Sequence, residues 1–224
     1  MKVLITGGAT MTMIDKVRGI TNIFRGTTAH KIAENFSKLG HDVTLLTSNK
    51  APITTCHVEH FKTYDDLLTH MTIEVIRGNY DVIIHSAAIS DYKVEGVYEY
   101  HLNNRIAGDL QRVDSTGKIP SQKEELFMKL IPTEKIVDKI RIDWNFKGIL
   151  VKFKLQVGMS DEELIDIATK SMHDSKADMI VANCLEWCNE YAYLITDKYT
   201  EKVSRDFLPI YLRLKLENII KGVV

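Results

Sequence analysis

Three short runs carry residue types whose spacing suits chemistry. The first is Gly7-Gly8-Ala9-Thr10, small residues that end the apolar run Val3-Leu4-Ile5-Thr6 and lead into a long polar loop. A strand, such a loop and then a helix together present backbone N–H groups to a phosphate at the carboxyl end of a sheet's first strand. The pattern G-x-x-x-x-G-K-[ST] is absent, and with the next glycine at Gly19 the G-x-G-x-x-G fingerprint is not met, which disfavours a standard ATPase or NAD enzyme. A glycine pair also serves a plain tight turn. The second run, Ser86-Ala87-Ala88-Ile89-Ser90-Asp91-Tyr92, follows another apolar strand and combines small residues with one carboxylate, Asp91, which would otherwise cap or turn the chain. The third, Cys184-x-x-x-Cys188, lacks the second pair or the histidine spacing that a metal site needs, and reads as packed or incidental thiols.

The elements that must position these runs follow from hydrophobic period. Thr27 to Leu39 is predicted as a helix, with Ala29, Ile32, Ala33, Phe36 and Leu39 at helical spacing and Gly40 as its stop. Asp42 to Thr47 is the next strand, giving a right-handed β-loop-α-β unit. Further strands are expected at Cys56–Phe61, Tyr80–His85, Glu124–Leu130, Gly148–Leu155, Ala177–Ala182 and Tyr191–Thr196. Helices are expected at Tyr64–Arg77, Thr133–Ile140 after Pro132, Ser160–Met172 with a capping box, and Arg205–Ile220. This alternation predicts an α/β fold with a mainly parallel, doubly wound sheet. Lys93 to Thr116 lacks periodicity and reads as a long irregular or mobile segment, a lid or an arm.

The 224 residues suffice for one α/β domain, residues 1–224. Twenty-nine basic against thirty acidic residues give a net charge of −1, so composition carries no nucleic-acid footprint and any phosphate site must be local. No apolar run reaches membrane-spanning length, the chain starts directly on a strand, and three cysteines fit a reducing compartment. A cytoplasmic protein with no membrane partner is expected. A short-chain reductase would need Tyr-x-x-x-Lys beside its cofactor; the one such pair, Tyr211 and Lys215, lies in the last helix and reads as a surface pair.

Gly8-Ala9-Thr10, Ile14-Asp15-x-Val17-Arg18-x-Ile20-Thr21-Asn22 and Gly26 together resemble the opening motif of the phosphopantothenoylcysteine synthetases (phosphopantothenate-cysteine ligases), G-G-T-x-x-x-I-D-x-V-R-x-I-T-N-x-S-[ST]-G. Ala87-Ala88-Ile89-Ser90-Asp91-Tyr92, Lys118-Ile119-Pro120-Ser121, Lys152-Phe153-Lys154 with Lys170, and Ala182-Asn183 resemble the family's later segments, so the likeness spans nearly the whole chain. The resemblance implies a Rossmann-like three-layer α/β/α fold with a flap or arm at about residues 93–123, in a stand-alone form. It implies amide formation between 4′-phosphopantothenate and cysteine, with CTP or ATP as co-substrate, Mg²⁺ on the triphosphate and no metal held by the protein itself, and a homodimer.

By the same resemblance Asn22 serves the acyl carbonyl, Lys118 the acyl-nucleotide phosphate and Arg18 the acyl substrate. Gly8, Ala9, Thr10, Ala87, Ala88, Asp91, Lys118, Phe153 and Lys170 bind nucleotide, Phe153 against the base and Lys170 at the phosphates. The copy is divergent: Ala9, Phe24, Arg25, Lys152, Asp174 and Cys184 depart from the pattern, with Arg25 and Lys176 as candidate replacements for lost phosphate contacts. The alternative implied is a paralogue that binds a nucleotide or phosphorylated ligand without ligation.

Overall fold

The computed structural model describes residues 1–53, 55–101 and 109–222. β1 (Lys2–Gly7) opens the chain, and a hairpin of β2 (Met11–Met13) and β3 (Gly19–Thr21) follows where sequence suggested only loop. Next come α1 (Thr27–Lys38), β4 (Asp42–Thr47), β5 (His57–His60), α2 (Tyr64–Arg77) and β6 (Val82–His85). An arm of β7 (Tyr92–His101), β8 (Asp109–Val113) and β9 (Phe127–Pro132) intervenes before α3 (Ile136–Ile142) and β10 (Ile149–Gln156). α4 (Asp161–Asp174), β11 (Met179–Cys184), β12 (Tyr191–Ile195), β13 (Thr200–Ser204) and α5 (Leu208–Lys221) complete the described chain.

The central sheet has the order β13-β12-β11-β10-β6-β1-β4-β5, parallel from β11 to β5 and antiparallel where β12 and β13 are added. β1 pairs β4 on one side and β6 on the other, so the order reverses at β1/β6, the place where such sheets open a crevice. Alternation along each strand sorts the core. Val3 and Ile5 join Val43, Leu45, Val82, Ile84 and Val151 beneath α1 and α5. Leu4, Leu46, Ile83 and Leu150 face α2 and α3, and Ile180 and Ala182 face α4. The result is the doubly wound sheet that the alternation of elements predicted, in the three-layer α/β/α sandwich that the resemblance implied.

α1 buries Ala29, Ile32, Ala33 and Phe36, while Leu39 falls at the exposed C-cap. α2 buries Leu67, Met71 and Val75, and Ile76 stays exposed. The Ser160 capping box is present: its hydroxyl accepts from Glu163 N and the Glu163 carboxylate accepts from Ser160 N.

The sequence expectation fails mainly at the arm. Lys93 to Thr116 is not irregular over its described part, because β7 pairs antiparallel with both β8 and β9; residues 102–108 lie outside the described ones. The strand expected at Glu124–Leu130 runs Phe127–Pro132, so Pro132 closes a strand and α3 begins only at Ile136. Arg205 precedes α5 instead of opening it, since β13 occupies the preceding residues. Exposed alternation on a two-faced arm gives none of the apolar runs that mark buried strands.

A polar pair lies under the crevice. The buried His85 on β6 has its Nδ1 3.1 Å from Thr6 Oγ1, and its register partner on β10 is Lys152. Burial, with the Lys152 ammonium beside it, pushes the His85 pKa down from 6.5 to about 4. Lys152 donates from Nζ to Ser171 O, Ser171 Oγ and Ser175 Oγ at 2.9–3.0 Å, and burial pushes its pKa down to about 8. Between pH 6.5 and about 4 the unfolded chain binds a proton that folded His85 refuses, so stability falls as pH drops through that window. Urea unfolding should therefore show a loss on the order of 2 kcal/mol from this group between about pH 7 and pH 5. His85→Gln, which keeps a partner for Thr6, should flatten that slope.

Candidate functional site

At the carboxyl ends of β1, β6, β10 and β11 a cavity of about 390 Å³ opens, within the size range of small-molecule sites. Gly8 and Ser86-Ala87-Ala88 form its floor at the switch point. Phe153 and Asn183 close it from β10 and β11, and α1 supplies Thr27, Thr28 and Lys31.

Two backbones approach unusually closely here, and that requires glycine. A Cβ on Gly7 would stand 2.2 Å from Ala29 Cβ, and one on Gly26 2.2 Å from Gly8 N, with Gly26 at φ +78°. Gly8, at φ +83°, would meet Ser48 Oγ at 2.2 Å. Gly7 and Gly26 thus let α1 start directly over the end of β1, and Gly8 lets the following loop pass close to Ser48. Gly26 is the N-cap, no side chain caps the helix, and its first turn holds no acid, so its leading N–H groups and positive dipole end are available at the cavity.

The charge around this helix end is lopsided. Arg25, Lys31, Lys154 and Arg205 line the cavity with Asp206 as the lining carboxylate. Arg205 Nη2 donates to Thr28 Oγ1 at 2.7 Å, and its buried Nη1 has no hydrogen-bond partner among the described residues. Such a setting suits a polyanion. Lys31 sits one helical turn beyond Thr27 and so shares its face, a signal legible in sequence; Arg205 arrives from the far end of the chain with no motif around it.

The residues expected from sequence divide into groups. Gly8, Ala87, Ala88 and Phe153 line the cavity, as do the departures Phe24 and Arg25. Asn22 is exposed at its rim, donating from Nδ2 to Ala88 O at 3.3 Å. Ala9 and Thr10 are buried just beneath: Ala9 N donates to Ser48 Oγ, Thr10 N donates to Ala88 O, and Thr10 Oγ1 accepts from Ser90 N at 2.9 Å. These contacts join the two strand ends, and Thr10's hydroxyl is committed to Ser90. Asp91 is exposed outside the cavity, its carbonyl accepting from Thr133 N.

Lys170 is not brought to the cavity. It is exposed in the second half of α4, roughly 14 Å along the axis from the helix start, and α4 runs back toward the beginning of β11. Lys152 also points away, because it alternates with Phe153 along β10 and inserts toward α4. Cys184 is buried with its thiol donating to Glu186 Oε2, while Cys188 lines the cavity.

Arg18 meets the backbone of Ile119, the neighbour of Lys118, at the hairpin tip. Asp15, buried, accepts from Arg18 Nε and Nη2 at 3.0 and 2.6 Å and from Ile119 N at 3.1 Å, and Arg18 Nη2 also donates to Ile119 O at 2.7 Å. The Lys118 side chain is exposed. Beside this contact lies a smaller cleft of about 150 Å³ lined by Ile14, Arg18, Val97, Ile119, Leu126 and Met128.

A doubly wound α/β domain with an uncapped helix end at its switch point and an antiparallel arm is the class of protein these features define. Residues 1–194 match the model of the DNA/pantothenate metabolism flavoprotein C-terminal domain, and the chain belongs to that family. A coenzyme A biosynthesis bifunctional protein of Thermococcus kodakarensis is 30% identical over 207 residues, covering 92% of this chain and 45% of that protein. Its counterpart from Methanocaldococcus jannaschii is 30% identical over 228 residues, covering 99% of this chain and 51% of that protein. The chain thus spans about half the length of these relatives. The crystal structure of a DNA/pantothenate metabolism flavoprotein from Streptococcus pneumoniae superposes with a TM-score of 0.81 at 27% identity, over 98% of this chain and 99% of that one. A Cab2 variant in complex with phosphopantothenate-cysteine shares the fold, with a TM-score of 0.75 at 15% identity over 99% of this chain and 88% of that one.

The glycine contact is open to a direct check. Gly26→Ala combines a positive φ with a backbone clash, whereas Gly40→Ala combines φ +84° with open space. Urea unfolding should show a loss of about 1 kcal/mol for Gly40→Ala and roughly 3 kcal/mol for Gly26→Ala. Equal losses would remove the close approach as the reason for glycine at 26.

Proposed function

We propose that this chain joins 4′-phosphopantothenate to cysteine through an acyl-nucleotide intermediate. The observation that carries the reading is the cationic cavity at β1/β6, where the uncapped start of α1, Arg25, Lys31 and Arg205 surround a space of nucleotide-fragment size with Asn22 at its rim. In the first step the substrate carboxylate attacks the α-phosphate of CTP or ATP, forming the acyl–O–P bond and releasing pyrophosphate. In the second the cysteine amine adds to the acyl carbon, loses its proton and expels the nucleoside monophosphate.

Negative charge grows on oxygen in both steps, so preorganised donors are the main lever available. The start of α1 with Arg25, Lys31 and Arg205 holds the phosphates, and the backbone of Gly8, Ala87 and Ala88 lies under them. Phe153 packs on the base. Asn22 exchanges its Ala88 carbonyl for the acyl oxygen and stabilises the tetrahedral intermediate. Lys118 neutralises the acyl-nucleotide phosphate. Mg²⁺ would enter on the nucleotide's own triphosphate oxygens.

The chain works as one domain with its arm. The arm exposes Tyr92, Leu110, Phe127, Met128 and Leu130, and a second copy is the partner that would cover them, giving a homodimer. Free Cys56, Cys184 and Cys188 suit a cytoplasmic enzyme. A second reading, a paralogue that binds nucleotide without ligation, is favoured by Phe24 and Arg25, which line the cavity where the resembled motif has phosphate-binding hydroxyls.

A mass-spectrometric assay with Mg²⁺, 4′-phosphopantothenate, cysteine and either CTP or ATP separates the two readings. Amide product with one nucleotide is expected; binding without pyrophosphate or product would leave the paralogue. In Asn22→Asp, pyrophosphate should still form while amide formation falls about 100-fold and the acyl-nucleotide accumulates. An unchanged ligation rate would remove Asn22 from the second step.

A further inference from the structure

The resemblance gives Arg18 to the acyl substrate, but its contacts give it other work. We propose that Asp15 and Arg18 are positioning residues: their forked pair fixes the Gly117–Ile119 backbone against the tip of the β2–β3 hairpin and thereby sets where Lys118 stands. The proposal rests on the ligase reading for what Lys118 does, and on geometry alone for what holds it.

The backbone is bracketed on both sides of Lys118. Lys16 N donates to Gly117 O at 3.1 Å, Ile119 N donates to Asp15 Oδ2 at 3.1 Å, and Arg18 Nη2 donates to Ile119 O at 2.7 Å. These contacts span about a hundred residues of sequence and tie two segments that share no strand. The Ile119 side chain is wholly buried, and Pro120 restricts Ile119 to an extended backbone. Lys118 is left with its side chain exposed between two fixed carbonyls.

Asp15 is the centre of this joint. It accepts from Val17 N at 2.8 Å, Arg18 N at 2.7 Å, the Arg18 guanidinium and Ile119 N. The Arg18 side chain, with the three backbone donors, holds the carboxyl well below the usual carboxylate range, so the pair stays charged. Arg18 spends Nε and Nη2 on this fork, which a point-charge ammonium cannot reproduce. An arginine engaged this way acts on the reaction through Lys118.

The test compares wild type, Arg18→Lys and Asp15→Asn as full chains. Arg18→Lys keeps the charge that direct binding of an anionic substrate would use and removes the fork. Hydrogen exchange read by mass spectrometry over residues 114–121 should speed up about tenfold in Arg18→Lys, with the rest of the sheet unchanged. Affinity for 4′-phosphopantothenate, measured by calorimetry, should stay within about twofold of wild type. Pyrophosphate release should fall, and the double variant with Lys118→Gln should be no slower than Lys118→Gln alone, because both act through one group.

Unchanged exchange at residues 114–121, or a tenfold loss of 4′-phosphopantothenate affinity, would overturn the proposal, as would additive losses in the double variant. If Asp15→Asn does not fold, Arg18→Lys carries the comparison. Failure of wild type to release pyrophosphate with either nucleotide would count against the ligase reading, while the exchange data would still decide whether the joint exists.

Discussion

Everything at the mouth of this protein depends on a helix beginning where a strand has barely ended. Gly7 and Gly26 remove the two side-chain positions that would hold α1 away from β1, Gly8 lets the loop after β1 pass Ser48, and Ala29 keeps its own contribution to one methyl group. The consequence is electrostatic as much as steric. A helix start brought down onto the floor of a crevice adds its unpaired N–H groups to whatever cations surround it, and that combination is what an anion meets. Replacing Gly7 or Gly26 moves the dipole, not merely a side chain.

The charge in the cavity has a distributed origin. Arg25 comes from the loop before α1, Lys31 from its second turn, Lys154 from β10 and Arg205 from the turn between β13 and α5. Arg205 Nη2 donates a hydrogen bond to Thr28, so the turn that leads into the last helix is joined to the first helix through the site itself. Nothing in the overall composition discloses this, because the net charge is −1 and the cations converge only after folding.

The layers of the sandwich were readable because buried parallel strands such as Val82–His85 and Met179–Cys184 are almost continuously apolar, and because α1 and α2 carry a clear 3.6-residue stripe. The arm was not readable. β7 alternates in an exposed setting, includes Gly96 at a register shift, and carries Tyr, Glu and Lys side chains that imitate loop composition. Gly8, Ala87 and Ala88 come together at the cavity because they follow directly on the ends of the neighbouring strands β1 and β6. Lys170 does not line the cavity, because position in a motif does not report which end of a helix faces the crevice, and Arg205 had no sequence signal because its place is made by β13, an element too exposed to predict.

Asn22 and Lys118 are about a hundred residues apart, yet both are mounted on one hairpin. Its base is tied to the crevice, Thr21 Oγ1 donating to Thr10 O and Asn22 Nδ2 to Ala88 O, and its tip grips Gly117 and Ile119. Three residues of strand separate base from tip, roughly 10 Å. The hairpin therefore works as a ruler: whatever tilts it carries both groups together and preserves the interval between them. Insertions in the arm can lengthen the path from Asp91 to Gly117 freely, since that path is not what sets the spacing, whereas a single residue added between Met13 and Gly19 would change the gauge.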